Sequence, residues 1–170
     1  DSLQTMPITD LGKDTFGVVN VSVANLRTTP KHSGELTTQV LMGMPLKLLD
    51  QRDNWFLVQS PAGYIAWLEA GTFVSKNAKE MNDFYQGSLA MITKPFIHLK
   101  NNAPDGSVVR DLSTGGIVKV IASAGNYQEV ILPDGKSGFL PKNCTTTINE
   151  LANNSEELRV GQLANQFYGA

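Results

Sequence analysis

The sequence predicts a mainly β chain built as two small barrels in tandem, with a short connecting helix and a C-terminal helical tail. Three observations carry that expectation. Gly43, Trp55, Val58, Pro61, Gly63, Trp67 and Leu68 are answered by Gly115, Tyr127, Val130, Pro133, Gly135, Phe139 and Leu140 at one constant offset of 72 residues, the mark of a duplicated unit. Short apolar runs alternate with turn signals at intervals of about eight to twelve residues, as in small all-β folds. No long crossover helix is present to build a parallel sheet.

The elements follow in order. Residues 1–15 are polar, contain Pro7 and Gly12 and show no period, so they read as an extended lead-in. From Phe16 the pattern changes to a β-rich run through Val18, Val19, Val21, Val23 and Leu26, closed by Arg27-Thr28-Thr29-Pro30. A polar loop with His32, Ser33 and Gly34 precedes short strands at Thr37–Met42, Pro45–Leu49, Trp55–Val58 and Tyr64–Leu68. Pro61 fixes φ for a type I turn and Gly63 supplies the left-handed residue after it, which predicts a three-residue hairpin with a bulge. Leu132-Pro133-Asp134-Gly135 repeats that hairpin.

Ser75 is a candidate cap for a short helix carrying Ala78, Met81 and Phe84 or Tyr85 along one stripe. After the second unit, Thr147 and Glu150 have capping-box spacing, and Val160, Leu163 and Phe167 have helical spacing from Ser155 on. The resulting division is a lead-in over 1–15, a first unit over 16–74, a helical linker over 75–88, a second unit over 89–145 and a helical tail over 146–170. Units of about 60 residues bury only about 60% of their unfolded surface, so the two are expected to pack as a rigid pair.

Composition narrows the function classes. With 14 Lys+Arg against 16 Asp+Glu, a net charge of -2 provides no basic footprint for nucleic acid or an anionic membrane. No apolar run approaches the roughly 20 residues of a membrane span. Cys144 is the only cysteine, and His32 and His98 are the only histidines, none at ligand spacing, so no metal and no cofactor is expected.

A family resemblance enters at Val23-Ala24-Asn25-Leu26-Arg27-Thr28-Thr29-Pro30, Thr38-Gln39, Gly43, Trp55-Phe56-Leu57-Val58 and Gly63-Tyr64-Ile65-Ala66-Trp67. These closely resemble the bacterial SH3 domain, and more narrowly the tandem bacterial SH3 region of NlpC-type cell-wall cysteine peptidases. The second copy is similar to the more divergent second SH3 domain of that family, with Tyr127 and Phe139 in place of two tryptophans. The resemblance implies two SH3-like barrels. It also implies that Leu163–Gly169 leads toward a catalytic domain that would carry the cysteine, the histidine and a third polar residue.

A cysteine nucleophile needs a base held beside it, and no motif ties Cys144 to a histidine, so it reads as a small structural residue. This chain is therefore expected to be non-catalytic, in a parent protein that is a cysteine peptidase (a hydrolase). The resemblance implies an exported protein of the periplasm or cell envelope, and the start at Asp1 fits a leader already removed. Its partners would be peptidoglycan stem peptides and an NlpC-type catalytic domain in cis or in trans. In that family the first SH3 domain shapes and gates the substrate cleft for peptides with a free N-terminal L-alanine on γ-D-glutamate and a diamino acid.

By motif, Tyr64 is the cleft tyrosine of that family. Thr37 stands where some relatives carry an acidic residue, and Glu35 lies two positions earlier, on the same face if the strand begins there. The duplication points the same way. Val58 is kept as Val130, as expected of packing, and Trp67 and Phe139 are assigned to packing with them. Leu57 and Tyr64 become Glu129 and Lys136, so they are expected to face outward; Trp55 joins them as an aromatic cleft candidate. The alternative reading is a stand-alone module that binds the cell wall or a protein.

Overall fold

The computed structural model describes residues 11–148, which include two seven-stranded antiparallel sheets and the α-helix Ala78–Tyr85. The first sheet comprises β1 Phe16–Val19, β2 Val23–Arg27, β3 Leu36–Leu41, β4 Pro45–Arg52, β5 Trp55–Gln59, β6 Ile65–Glu69 and β7 Phe73–Lys76. The second comprises β8 Ser88–Ile92, β9 Ile97–Lys100, β10 Val108–Leu112, β11 Ile117–Ala124, β12 Tyr127–Ile131, β13 Ser137–Pro141 and β14 Thr145–Thr147. Strand order is β3-β2-β6-β5-β4-β1-β7 in one and β10-β9-β13-β12-β11-β8-β14 in the other, the same topology repeated.

The repeat extends to irregularities. Pairing of β4 with β5 slips between Leu48 and Asp50, and pairing of β11 with β12 slips between Val120 and Ala122, the same place 72 residues later. Both hairpins close alike. Ser60 N–H donates to the Tyr64 carbonyl at 2.9 Å and Leu132 N–H to Lys136 at 2.8 Å. Gly63 and Gly135 take φ of 85° and 84°, a conformation that costs glycine little and other residues more.

Each sheet wraps its own core. Val19, Leu26, Leu46, Leu48, Val58 and Leu68 fill the first, and Ile92, Leu99, Leu112, Val118, Val130 and Leu140 the second. Helix α1, Ala78–Tyr85, packs Met81 and Phe84 on Val18. Its cap is Asn77 rather than Ser75: Asn77 Oδ1 accepts from Glu80 N–H while Glu80 Oε2 accepts from Asn77 N–H, both at 3.0 Å. Ser75 is held in β7, because its backbone pairs with Gly17 of β1.

The units are joined through their own cores. Met42, the residue after β3, is fully buried in the second sheet's cluster. Its carbonyl accepts from Ile117 N–H at 2.8 Å. Next to it Gly43 has a φ of 76°, and a Cβ there would lie 2.1 Å from the Ile117 carbonyl oxygen, so only glycine permits this approach. Tyr85 Oη donates to the Gly43 carbonyl at 2.6 Å, tying the helix to the same junction. Glu150 of the expected capping box and the helix expected from Ser155 lie outside the described residues.

Candidate functional site

Between the two sheets lies a largely apolar cavity of about 440 Å³. Turns of the first unit contribute Met44, Ser60 and Tyr64, the second sheet Met91 and Ile117, and the helix Tyr85. Tyr64 follows the Pro61–Gly63 turn directly, its carbonyl accepting from Ser60 N–H across the hairpin, and half of it remains exposed. Ser60 is 2% exposed, yet its Oγ has no hydrogen-bond partner among the described residues. A mainly apolar wall that also offers Thr38, Gln39, two tyrosines and one unsatisfied hydroxyl suits a partner with apolar bulk and a few polar groups.

A second candidate surface is the outer face of the first sheet. Along β6, Ala66 and Leu68 point into the core, so alternation sends Trp67 outward. Trp67 pairs with Leu57, and Trp55 with Glu69, on that face. Both tryptophans are nevertheless covered, at 9% exposure for Trp55 and 7% for Trp67. His32 meets the Trp55 ring edge-on at 5.3 Å and lies 3.6 Å from Glu69 Oε1. The Arg52 guanidinium sits over Trp67 at 5.0 Å and reaches Asp50 at 3.6 Å.

The five residues singled out as a cleft therefore divide. Tyr64 lines the cavity, whereas Trp55 and Leu57 lie on the outer sheet face. Thr37 is the extra residue of a bulge, since Leu26 pairs with Thr38 and Arg27 with Leu36. Glu35 precedes the strand, which begins at Leu36, so the parity argument for it does not apply. Among the packing residues, Val58 and Val130 lie in the core clusters, while Trp67 is buried on the outer face and Phe139 half-buried there. Sequence reading missed the capping of the tryptophans. The signal was present in Arg52, which a tight β4–β5 turn sets directly across from Trp55.

Cys144 is buried in a single 3-10 turn, with its Sγ 3.3 Å from Asn143 Oδ1. His98 is engaged elsewhere, with Nδ1 at 2.7 Å from Asp111. No group of three or more His, Cys, Asp or Glu fit for a metal occurs among the described residues. Asp134 is the notable charged group. Burial pushes its carboxyl up, but the Asn20 amide, the Lys136 backbone N–H and the Arg110 and Lys136 cations outweigh this and hold it below the usual carboxylate range. Arg110 approaches it to 2.9 Å and Lys136 to 3.6 Å. No helix among the described residues is long and apolar enough to cross a membrane.

Residues 26–71 match the family described as the bacterial dipeptidyl-peptidase SH3 domain. A stretch of 137 residues, 77% of the chain, is 23% identical to a Bacillus subtilis (strain 168) protein named "Putative N-acetylmuramoyl-L-alanine amidase YrvJ". The chain spans about a quarter of that relative's length, 26%. Among solved structures, an NlpC/P60 family protein from Bacillus cereus ATCC 10987 superimposes with a TM-score of 0.65 at 20% identity, over 78% of this chain and 56% of that one. An NlpC/P60 endopeptidase from Photobacterium damselae subsp. piscicida gives a TM-score of 0.57 at 17% identity, over 84% of this chain and 35% of that one. Residues 26–71 thus match a bacterial SH3 family, and the chain shares its fold with part of two NlpC/P60 proteins.

Proposed function

We propose that this chain is the non-catalytic tandem SH3 region of an exported cell-wall peptide hydrolase. In this reading the first domain spans 16–74, the second 89–145, and each sheet closes as an SH3-like barrel. The observation that carries the reading is the family match over residues 26–71, repeated in topology, bulge and hairpin by the second sheet. The likeness in fold to NlpC/P60 proteins supports it. The site of action is the apolar cavity bearing Tyr64, against which an NlpC-type catalytic domain would dock. Tyr64 would offer ring area and a hydroxyl to the stem peptide, and the wall would exclude longer glycan-linked stems.

Two measurements test this. The chain alone should release no product from L-Ala-γ-D-Glu-diamino-acid peptides, because among the described residues Cys144 bonds only Asn143 while His32 and His98 are paired with Glu69 and Asp111. Joined to an NlpC-type catalytic domain, it should support cleavage, with Tyr64→Ala raising KM more than it lowers kcat. Cleavage by the chain alone, or a fused enzyme indifferent to Tyr64→Ala, would refute the proposal. Strong co-sedimentation with wall sacculi, combined with no effect on the fused enzyme, would favour a stand-alone wall-binding module instead.

A further inference from the structure

The duplicated geometry exposes a difference between the two outer faces. Trp55 and Trp67 correspond to Tyr127 and Phe139, at the same ladder positions. In the first sheet Arg52 and His32 cover the pair. In the second, the position of Arg52 is held by Ala124, which pairs with Tyr127 as Arg52 pairs with Trp55. The loop that carries His32 in the first unit becomes residues 101–107, which contain no histidine. With neither cap, Tyr127 and Phe139 are partly exposed beside two adjoining hollows of about 360 and 290 Å³ that share Asn102, Ala103, Tyr127 and Phe139.

Charge organises this open face. Direct cross-strand partners place Lys100, Phe139 and Glu129 in one row, with the Phe139 ring in the middle. Two strand spacings separate the outer members, about 10 Å. Lys100 Nζ donates to the neutral Pro104 carbonyl at 2.9 Å, so its charge is not neutralised there. Neither Lys100 nor Glu129 forms an ion pair with another described residue. The equivalent row of the first sheet is Arg27, Trp67, Leu57 and Asp50, without an acid next to the aromatic residue.

We propose that the outer face of the second sheet is a peptide-binding groove, distinct from the Tyr64 cavity, for a short zwitterionic peptide. Its carboxylate would lie toward Lys100, its ammonium toward Glu129, and an apolar centre on Phe139. An extended chain advances about 3.4 Å per residue, so a span of about 10 Å selects three residues. The face matches such a ligand in charge at both ends and in apolar character between them. A glycan would gain from the rings but has no use for the opposed charges.

The test titrates trialanine, its N-acetyl form and its C-amide into the full chain, read by backbone amide chemical shifts. Trialanine should move signals at Lys100, Tyr127, Glu129 and Phe139. Acetylation or amidation should each weaken binding about threefold to fivefold, the scale of an exposed ion pair. Glu129→Gln should reproduce the loss from acetylation and add nothing for the acetylated peptide; Lys100→Met should do the same for the amide. Ala124→Arg, which restores the cap of the first sheet on an exposed site, should abolish binding, while Tyr64→Ala should leave it intact. Absence of binding, shifts confined to the Tyr64 cavity, equal affinity for all three peptides, or tighter binding of chitotetraose regardless of Glu129 would each overturn the proposal. Because Tyr64 and cleavage play no part in this readout, its failure is separable from failure of the proposed function.

Discussion

Gly43→Ala tests the junction between the two units most directly. Two costs arise at that position. An alanine forced to a φ of 76° loses about 1–2 kcal/mol to the Cβ–carbonyl clash of left-handed backbone. The new Cβ would also sit 2.1 Å from the Ile117 carbonyl oxygen, a backbone atom that no side-chain rotation can move aside. Relief requires the units to part there. That withdraws Met42 from the second core, about 2–3 kcal/mol of burial, and breaks the bond from Ile117 N–H to Met42, about 1 kcal/mol. The expected loss is therefore about 4 kcal/mol or more.

Gly115→Ala is the matched control. Gly115 has a φ of 86°, but its added Cβ would meet only the Leu41 Cδ1 methyl, at 2.8 Å, which can swing away. Its cost should stay at about 1–2 kcal/mol. Urea unfolding followed by circular dichroism measures both. Small-angle scattering should additionally show the Gly43→Ala protein extended. Equal losses for the two variants, or a Gly43→Ala loss under about 1 kcal/mol, would refute the idea that close backbone approach holds the pair together.

Other expectations follow from the same structure. Met42→Ala should cost about 2–5 kcal/mol, with the loss falling on the second sheet, since Met42 is fully buried in that cluster. Gly63→Ala and Gly135→Ala should cost nearly the same, about 1 kcal/mol each, because both turns are open and share one φ; denaturant midpoints of the two single variants check this. Asp134 has a folded pKa below its unfolded one, so its contribution is present above the ordinary carboxylate range and lost as pH falls through the lower folded value. Urea midpoints measured from pH 7 downward should accordingly fall less steeply in Asp134→Asn than in the parent.

The sequence alone determined the duplication, and with it most of the fold. Glycine and proline at fixed spacing specify turns through backbone sterics, and alternating apolar residues specify which strand faces are buried. Both are local properties, so Gly63 and Gly135 announced their hairpins and Val58 and Val130 their cores. The helix stop and start were less legible, because Ser75 and Asn77 are both good caps and only pairing with Gly17 draws Ser75 into a strand. What the tertiary structure decided was everything that depends on distant segments meeting. Met42 reads as the end of a strand and becomes part of another unit's core; Trp67 reads as packing and stands on an outer face under Arg52. Tyr64 and Trp55, nine residues apart, serve different surfaces because Tyr64 lies across from Ser60 and Trp55 across from Glu69, at alternate positions of the pleat. Side-chain environment is a sum over contacts far apart in the chain, and no local pattern encodes that sum.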